Sequence, residues 1–256
     1  MTCRSGTFPL ERARPTLLFV IDRSRSMLDE TADKRTRWDV LNSALMSTLP
    51  PFDDTVAMGV MMFPLRGENT SGSCMVAGAP DLMPGFHQAS QVLKIVSSAY
   101  PAGLTPTSDA IGIAAQAMQS VRAATRARAL VLATDGLPDC NPELNPATCQ
   151  CSEPAVVCAS ATRCLDDART MATLQNANAA GVPTYVIGIQ DVDSNLNVAV
   201  LDAMADAGGR PQLGLQHRYY AATSELELSS ALVKIGMTPV RARTSRRQSP
   251  TSAAAP

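Results

Sequence analysis

The apolar run Leu17-Leu18-Phe19-Val20-Ile21 ends abruptly in Asp22-Arg23-Ser24-Arg25-Ser26. A short apolar run bounded by turn signals reads as a strand buried in a sheet. At its end a carboxylate and two hydroxyls stand at alternate positions. A strand that delivers Asp-x-Ser-x-Ser into the following loop builds a set of hard oxygen donors. Such donors suit Mg²⁺, Mn²⁺ or Ca²⁺. They point to a metal-centred binding site more than to a proton-transfer catalyst.

Short strands and helices alternate along the chain. Strands are expected over Thr16–Ile21, Thr55–Phe63, Ala127–Ala133, Pro183–Ile189 and His217–Ala221, with a short one near Cys74–Val76. Helices are expected over Thr36–Leu49, Ala89–Ala99, Thr107–Ala123, Cys164–Ala180, Asn197–Ala207 and Ser224–Ile235. Trp38, Leu41, Leu45 and Leu49 recur at three- and four-residue spacing, the signature of a helix with one buried face. Pro50-Pro51 stops that helix, and Gly181 and Gly208-Gly209 close two others. This alternation implies an α/β fold: a doubly wound, mostly parallel sheet flanked by helices. Residues 1–15 form an N-terminal lead-in and 16–238 a single domain; the tail 239–256, poor in apolar residues, is expected to be disordered.

The net charge is −1 over 256 residues. No global field favours nucleic acid or an anionic membrane. No stretch reaches the ~18 consecutive apolar residues that cross a bilayer. Met1–Thr7 does not read as a signal peptide, and the apolar run from Leu17 is too short and meets Asp22.

Seven cysteines are present: Cys3, Cys74, Cys140, Cys149, Cys151, Cys158 and Cys164. Five fall in or beside the Cys/Pro/Asn-rich loop 137–162. Clustering of this kind implies disulfides or a metal. Zinc is the first alternative, but Cys149-x-Cys151 is tighter than the usual zinc knuckle and no histidine lies nearby. Disulfides are the favoured reading, with Cys3–Cys74 a plausible pair and an odd thiol left over. They imply an extracellular, periplasmic or cell-envelope location, in tension with the missing leader.

Three loops carry the chemistry. The first is Asp22-x-Ser24-x-Ser26. The second is the turn Gly103-Leu104-Thr105-Pro106-Thr107-Ser108-Asp109. The third is Thr134-Asp135-Gly136. Each lies where a strand ends or a helix begins, the ligand-binding edge of a doubly wound sheet. Asp22, Ser24, Ser26, Thr105 and Asp135 together offer the oxygens that a hard cation wants. Hydroxyls coordinate while neutral, so a cation held this way keeps affinity for one more anionic oxygen.

In order, strand context and spacing, these motifs resemble the metal-ion-dependent adhesion site of von Willebrand factor type A domains, shared with integrin inserted domains. The family pattern is Asp-x-Ser-Gly-Ser, a threonine in a Gly-rich turn, then Thr-Asp-Gly. The resemblance covers roughly residues 15–236. It implies that Asp22, Ser24, Ser26 and Thr105 are direct or near-direct ligands of Mg²⁺ (or Mn²⁺ or Ca²⁺) and that Asp135 completes the site. Thr107 is the alternative to Thr105, but helix capping is the favoured reading for Thr107 and Asp109. One departure stands out: Arg25 occupies the position of the family's glycine, where a guanidinium either weakens metal affinity by repelling the cation or, swung out to solvent, places a positive charge at the rim to greet an acidic ligand.

Other polar residues have plainer readings. His87 and His217 sit in no catalytic pattern. Trp38 is expected to pack its helix on the sheet. Asp53 and Asp54 read as solvated turn residues, Asp166 and Asp167 as acids in a helix's first turn, and Asp191 and Asp193 as loop residues near the metal edge. The leading function is a non-catalytic, adhesion-type module that captures an Asp or Glu of a protein partner through the cation. An intracellular assembly module, as in AAA-type chelatase systems, is the alternative. A metal-dependent hydrolase is third, because the first loop reads Asp22-x-Ser24 where a phosphate-handling Asp-x-Asp pair would stand, and no phosphate-binding glycine loop is present.

Overall fold

Every residue of β1 (Thr16–Asp22) is buried, which only the middle of a sheet covered on both faces can achieve. Strands β2 (Ala57–Phe63), β4 (Arg128–Thr134) and β5 (Thr184–Ile189) share that uninterrupted apolar character. With β3 (Leu82–Gly85) and β6 (Tyr220–Ala222) they form a six-stranded sheet in the order β3-β2-β1-β4-β5-β6. All pairings are parallel except the edge pairing of β3 with β2. The computed structural model describes residues 14–31, 33–65, 73–121, 128–152, 157–189 and 195–237. Cys3, Asp191, Asp193 and the tail 239–256 lie outside them.

Alternate strand residues feed two cores. Leu17, Phe19 and Ile21 join the core covered by helices α1 (Arg37–Thr48), α2 (Ala89–Ser97) and α6 (Glu225–Met237). Leu18 and Val20 join the core beneath α3 (Thr107–Ser120), α4 (Asp167–Ala179) and α5 (Asn195–Ala207). The doubly wound α/β fold is therefore the one expected, and Trp38 packs in the first core. No helix among the described residues is long and apolar enough to cross a membrane.

Local chemistry sets the helix starts. Thr36 caps α1: its hydroxyl accepts a hydrogen bond from the Asp39 N–H at 3.0 Å and donates to Asp39 Oδ2 at 2.6 Å. Asp53 is not a free turn residue: its Oδ1 accepts from the Ala89 N–H at 2.8 Å and so caps α2 across 36 residues. The expected strand at Cys74–Val76 is absent. The third strand lies instead at Leu82–Gly85, against Gly59, where a Cβ would stand 2.5 Å from the Leu82 carbonyl. Helix α4 begins at Asp167, later than the periodicity suggests, because Cys164 is extended and bridges to Cys151. His217 falls before β6, not within it.

The strand order reverses between β1 and β4, the point at which doubly wound sheets open a crevice beyond their carboxyl ends. Asp22 terminates β1 and Thr134 terminates β4. The Asp-x-Ser-x-Ser and Thr-Asp-Gly loops therefore leave the sheet side by side.

Candidate metal-binding site

Asp22 is fully buried, and both its carboxylate oxygens are engaged. Oδ1 accepts from the Ser24 N–H at 2.7 Å, and Oδ2 accepts from the Thr134 hydroxyl at 2.6 Å. Beyond it the chain forms a 3-10 turn, Arg25–Leu28. That turn stacks the hydroxyls of Ser24 and Ser26 at 3.0 Å, and Ser26 donates to Asp135 Oδ1, also at 3.0 Å. A continuous line of oxygens thus runs from β1 to β4. Arg25 has its side chain at the surface, and it is not among the non-glycine residues of positive φ, which are Lys34, His87 and Cys140 among the described residues. Arginine in place of glycine therefore costs the loop no backbone strain.

The Thr105 turn is bound to the same loop through its backbone. Ala102 N–H donates to the Arg23 carbonyl at 2.8 Å, and Arg25 N–H donates to the Gly103 carbonyl at 3.1 Å. Gly103 holds φ +94°, a left-handed conformation that glycine adopts without penalty. Thr105 is buried, and its hydroxyl has no hydrogen-bond partner among the described residues. Thr107 does not cap α3; its hydroxyl donates to the Thr105 carbonyl at 3.4 Å. Asp109 pairs with Arg169 at 2.8 Å. Neither Thr107 nor Asp109 carries out the capping role expected of it.

Asp135 has a partner that the motifs did not announce. Arg37, the first residue of α1, reaches across 98 positions to place Nη1 2.7 Å from Asp135 Oδ2. The same nitrogen lies 3.3 Å from the Ser26 carbonyl and 3.5 Å from Asp29 Oδ2. Arg37 Nε is buried without a hydrogen-bond partner. Nothing in the local sequence distinguishes Arg37 from a solvated helix-start residue.

Burial pushes the Asp22 carboxyl up from 3.8 to about 7, and the negative charge of Asp135 adds to the effect. The hydrogen bonds from Thr134 and Ser24 oppose it. Asp135 is also raised by burial, against the pull of the Arg37 guanidinium. Two buried carboxyls that repel each other, with serine hydroxyls between them and one guanidinium beside them, form a cluster short of positive charge. The donor set of hard oxygens fits a divalent cation of the Mg²⁺, Mn²⁺ or Ca²⁺ class.

Six of the cysteines form three disulfides: Cys74–Cys140, Cys149–Cys164 and Cys151–Cys158. The expected Cys3–Cys74 pair is replaced by Cys74–Cys140, a bridge between loops 66 residues apart. Proximity in the fold decides this, and linear spacing carries no information about it. Asp166 is more than a helix-start acid: its Oδ1 accepts from Asn141 at 2.8 Å and its Oδ2 from Arg169 at 2.7 Å, which anchors the cysteine loop to α4.

The fold has counterparts among solved structures. The pilus adhesin SpaC of Lactobacillus rhamnosus GG superposes with a TM-score of 0.61 at 15% identity over 87% of this chain and 30% of SpaC. The vWF domain of the type V pili tip protein Mfa5 of Porphyromonas gingivalis superposes with a TM-score of 0.56 at 14% identity over 87% of this chain and 94% of that domain. This is the von Willebrand factor type A fold. Manganese-loaded TRAP protein of Plasmodium vivax shares it, with a TM-score of 0.53 at 16% identity over 90% of this chain and 75% of TRAP. No protein-family model matches the sequence, and no curated protein does. This chain spans less than a third of SpaC, so the type A fold describes one unit of that longer adhesin.

Proposed function

We propose that the chain is a metal-dependent, adhesion-type binding module that captures an acidic side chain of a protein partner. The observation that carries this reading is the juxtaposition of buried Asp22 and Asp135, joined through the Ser24 and Ser26 hydroxyls, at the reversal point of the sheet. Asp22, Ser24, Ser26, Thr105 and Asp135 are the residues that would hold the cation. A divalent ion there supplies a positive centre that an Asp or Glu carboxylate of the partner can reach. Hydroxyl donors leave that centre electron-poor. Exposed Arg25 stands at the rim, where a guanidinium attracts an approaching carboxylate. The pilus-adhesin neighbours and the manganese-loaded neighbour support the reading. Three disulfides and the same neighbours support a cell-surface or extracellular location. The role is one of binding and not of catalysis.

Calorimetric titration of Mg²⁺ and Mn²⁺ into EDTA-treated protein tests the cation. The expected result is saturable heat and a rise in melting temperature, both lost in Asp22→Ala. Absence of heat and of any thermal shift at millimolar metal refutes the reading.

A further inference from the structure

The Thr105 turn is gripped from three sides. One side is the Arg23–Arg25 backbone described above. On the second, Leu104 N–H donates to the Ser73 carbonyl at 3.0 Å. On the third, Thr105 and Asp139 bond reciprocally: Thr105 N–H donates to Asp139 Oδ1 at 2.7 Å, and Asp139 N–H donates to the Thr105 carbonyl at 3.0 Å. Ser73 and Asp139 are each next in sequence to a partner of one disulfide, Cys74–Cys140. That crosslink therefore joins the two flanks that hold Leu104 and Thr105.

The Asp139 flank is itself built tightly. Asp139 is buried, and Ser152 donates to its Oδ2 at 3.3 Å. Cys140 holds φ +75°, a conformation that a residue with a side chain adopts at a cost and keeps only where its surroundings impose it. Its N–H donates to the Thr162 carbonyl at 3.0 Å, and Asp166 N–H donates to the Pro138 carbonyl at 2.8 Å. The other two crosslinks, Cys149–Cys164 and Cys151–Cys158, close loops within the cysteine-rich segment; neither stands next to a residue that bonds the Thr105 turn itself, although Cys151 precedes Ser152.

We propose that Asp139 and the Cys74–Cys140 crosslink form the positioning device of Thr105, and that the affinity of the site for a divalent cation depends on that crosslink; the second half rests on the metal-dependent reading above. Thr105 sits in a turn that brings no regular ladder of its own. Its hydroxyl reaches a fixed place only if the backbone is held by its neighbours. Asp139 supplies an acceptor and a donor to a single residue, and the disulfide keeps the Asp139 flank from moving relative to the Ser73 flank. Reduction of Cys74–Cys140, two electrons and two protons from a dithiol giving two thiols and a cyclic disulfide of the reductant, would loosen the turn without touching Asp22, Ser24, Ser26 or Asp135.

Two measurements on the full chain separate the parts of this proposal. Amide hydrogen exchange reads the Thr105 N–H directly. Its protection is expected to fall at least tenfold in Asp139→Ala and in Cys74→Ser/Cys140→Ser, and to persist in Asp139→Asn, which keeps the acceptor oxygen. Mg²⁺ titration is expected to give a dissociation constant at least tenfold weaker in the first two variants and within threefold of the parent in Asp139→Asn. Unchanged protection of Thr105 in Asp139→Ala overturns the positioning role, whether or not the disulfide variant folds. Lost protection with unchanged Mg²⁺ affinity overturns the link to the cation. Absence of Mg²⁺ binding by the parent protein refutes the metal-dependent reading and the link to it, while exchange still decides the positioning role.

Discussion

Removing the guanidinium beside Asp135 is the sharpest test of how this site is balanced. Arg37 Nη1 lies 2.7 Å from Asp135 Oδ2, with the aspartate side chain fully buried and the arginine side chain 18% exposed. At that separation and an effective dielectric constant of about 20, the gross attraction is about 6 kcal/mol. Desolvation of both groups offsets part of it, and breaking one partner of a buried pair costs about 3–5 kcal/mol. The partial exposure of Arg37 argues for the lower end. In Arg37→Gln, a loss of about 3 kcal/mol at about 2–4 °C per kcal/mol lowers the melting temperature by about 6–12 °C. Scanning calorimetry in EDTA reads this directly. A divalent cation then meets the charge that Arg37 no longer neutralises, so saturating Mg²⁺ should raise the melting temperature more in Arg37→Gln than in the parent. A variant that melts within about 2 °C of the parent in EDTA refutes the idea that Arg37 compensates Asp135. A lowered melting temperature with no larger response to Mg²⁺ refutes competition between the guanidinium and the cation.

Three further outcomes are expected. Thr105→Ala should abolish metal-dependent partner capture while leaving the circular dichroism spectrum and thermal unfolding close to those of the parent; a variant that still captures partner in an EDTA-sensitive way removes Thr105 from the site. In metal-free protein the folded state keeps the Asp22 proton up to about pH 7, whereas the unfolded chain loses it near 3.8. This group therefore makes folding progressively less favourable as pH rises from 3.8 to about 7. The urea midpoint in EDTA should fall over that range in the parent and fall less in Asp22→Asn; parallel pH profiles for the two proteins contradict this. Gly59→Ala should cost roughly 1–3 kcal/mol, because its Cβ would stand 2.5 Å from the Leu82 carbonyl and 2.6 Å from the Pro84 nitrogen and push β3 off the sheet; an unchanged urea midpoint means the edge strand yields freely.

The parts of the fold that the sequence announced share a local cause. The apolar runs of β1, β2, β4 and β5 are strands because each is buried on both faces, and that demands contiguous hydrophobicity. Helix α1 is legible from Trp38, Leu41 and Leu45 and from the Pro50-Pro51 stop. Edge strand β3 was not legible: it carries Pro84 and Gly85, which argue against a strand interior, and it exists because β2 offers Gly59 as a gap for its backbone. Asp53 looks like any acid in a turn until α2 returns to place Ala89 N–H against it. The cysteines announced disulfides by their number, but the partner of Cys74 depends on which loops meet.

What the sequence alone determined was the alternation of strand and helix and the identity of three oxygen-bearing loops, because hydrophobic period and donor chemistry are written residue by residue. Tertiary structure decided how these loops combine. The strand order sets β1 beside β4, so Thr134 meets Asp22 across 112 residues and Arg37 meets Asp135 across 98. Such encounters depend on chain topology and on packing between distant segments, for which no local pattern carries a signal. The charge balance of the candidate site, set by two buried carboxyls against one guanidinium, is a property of that packing.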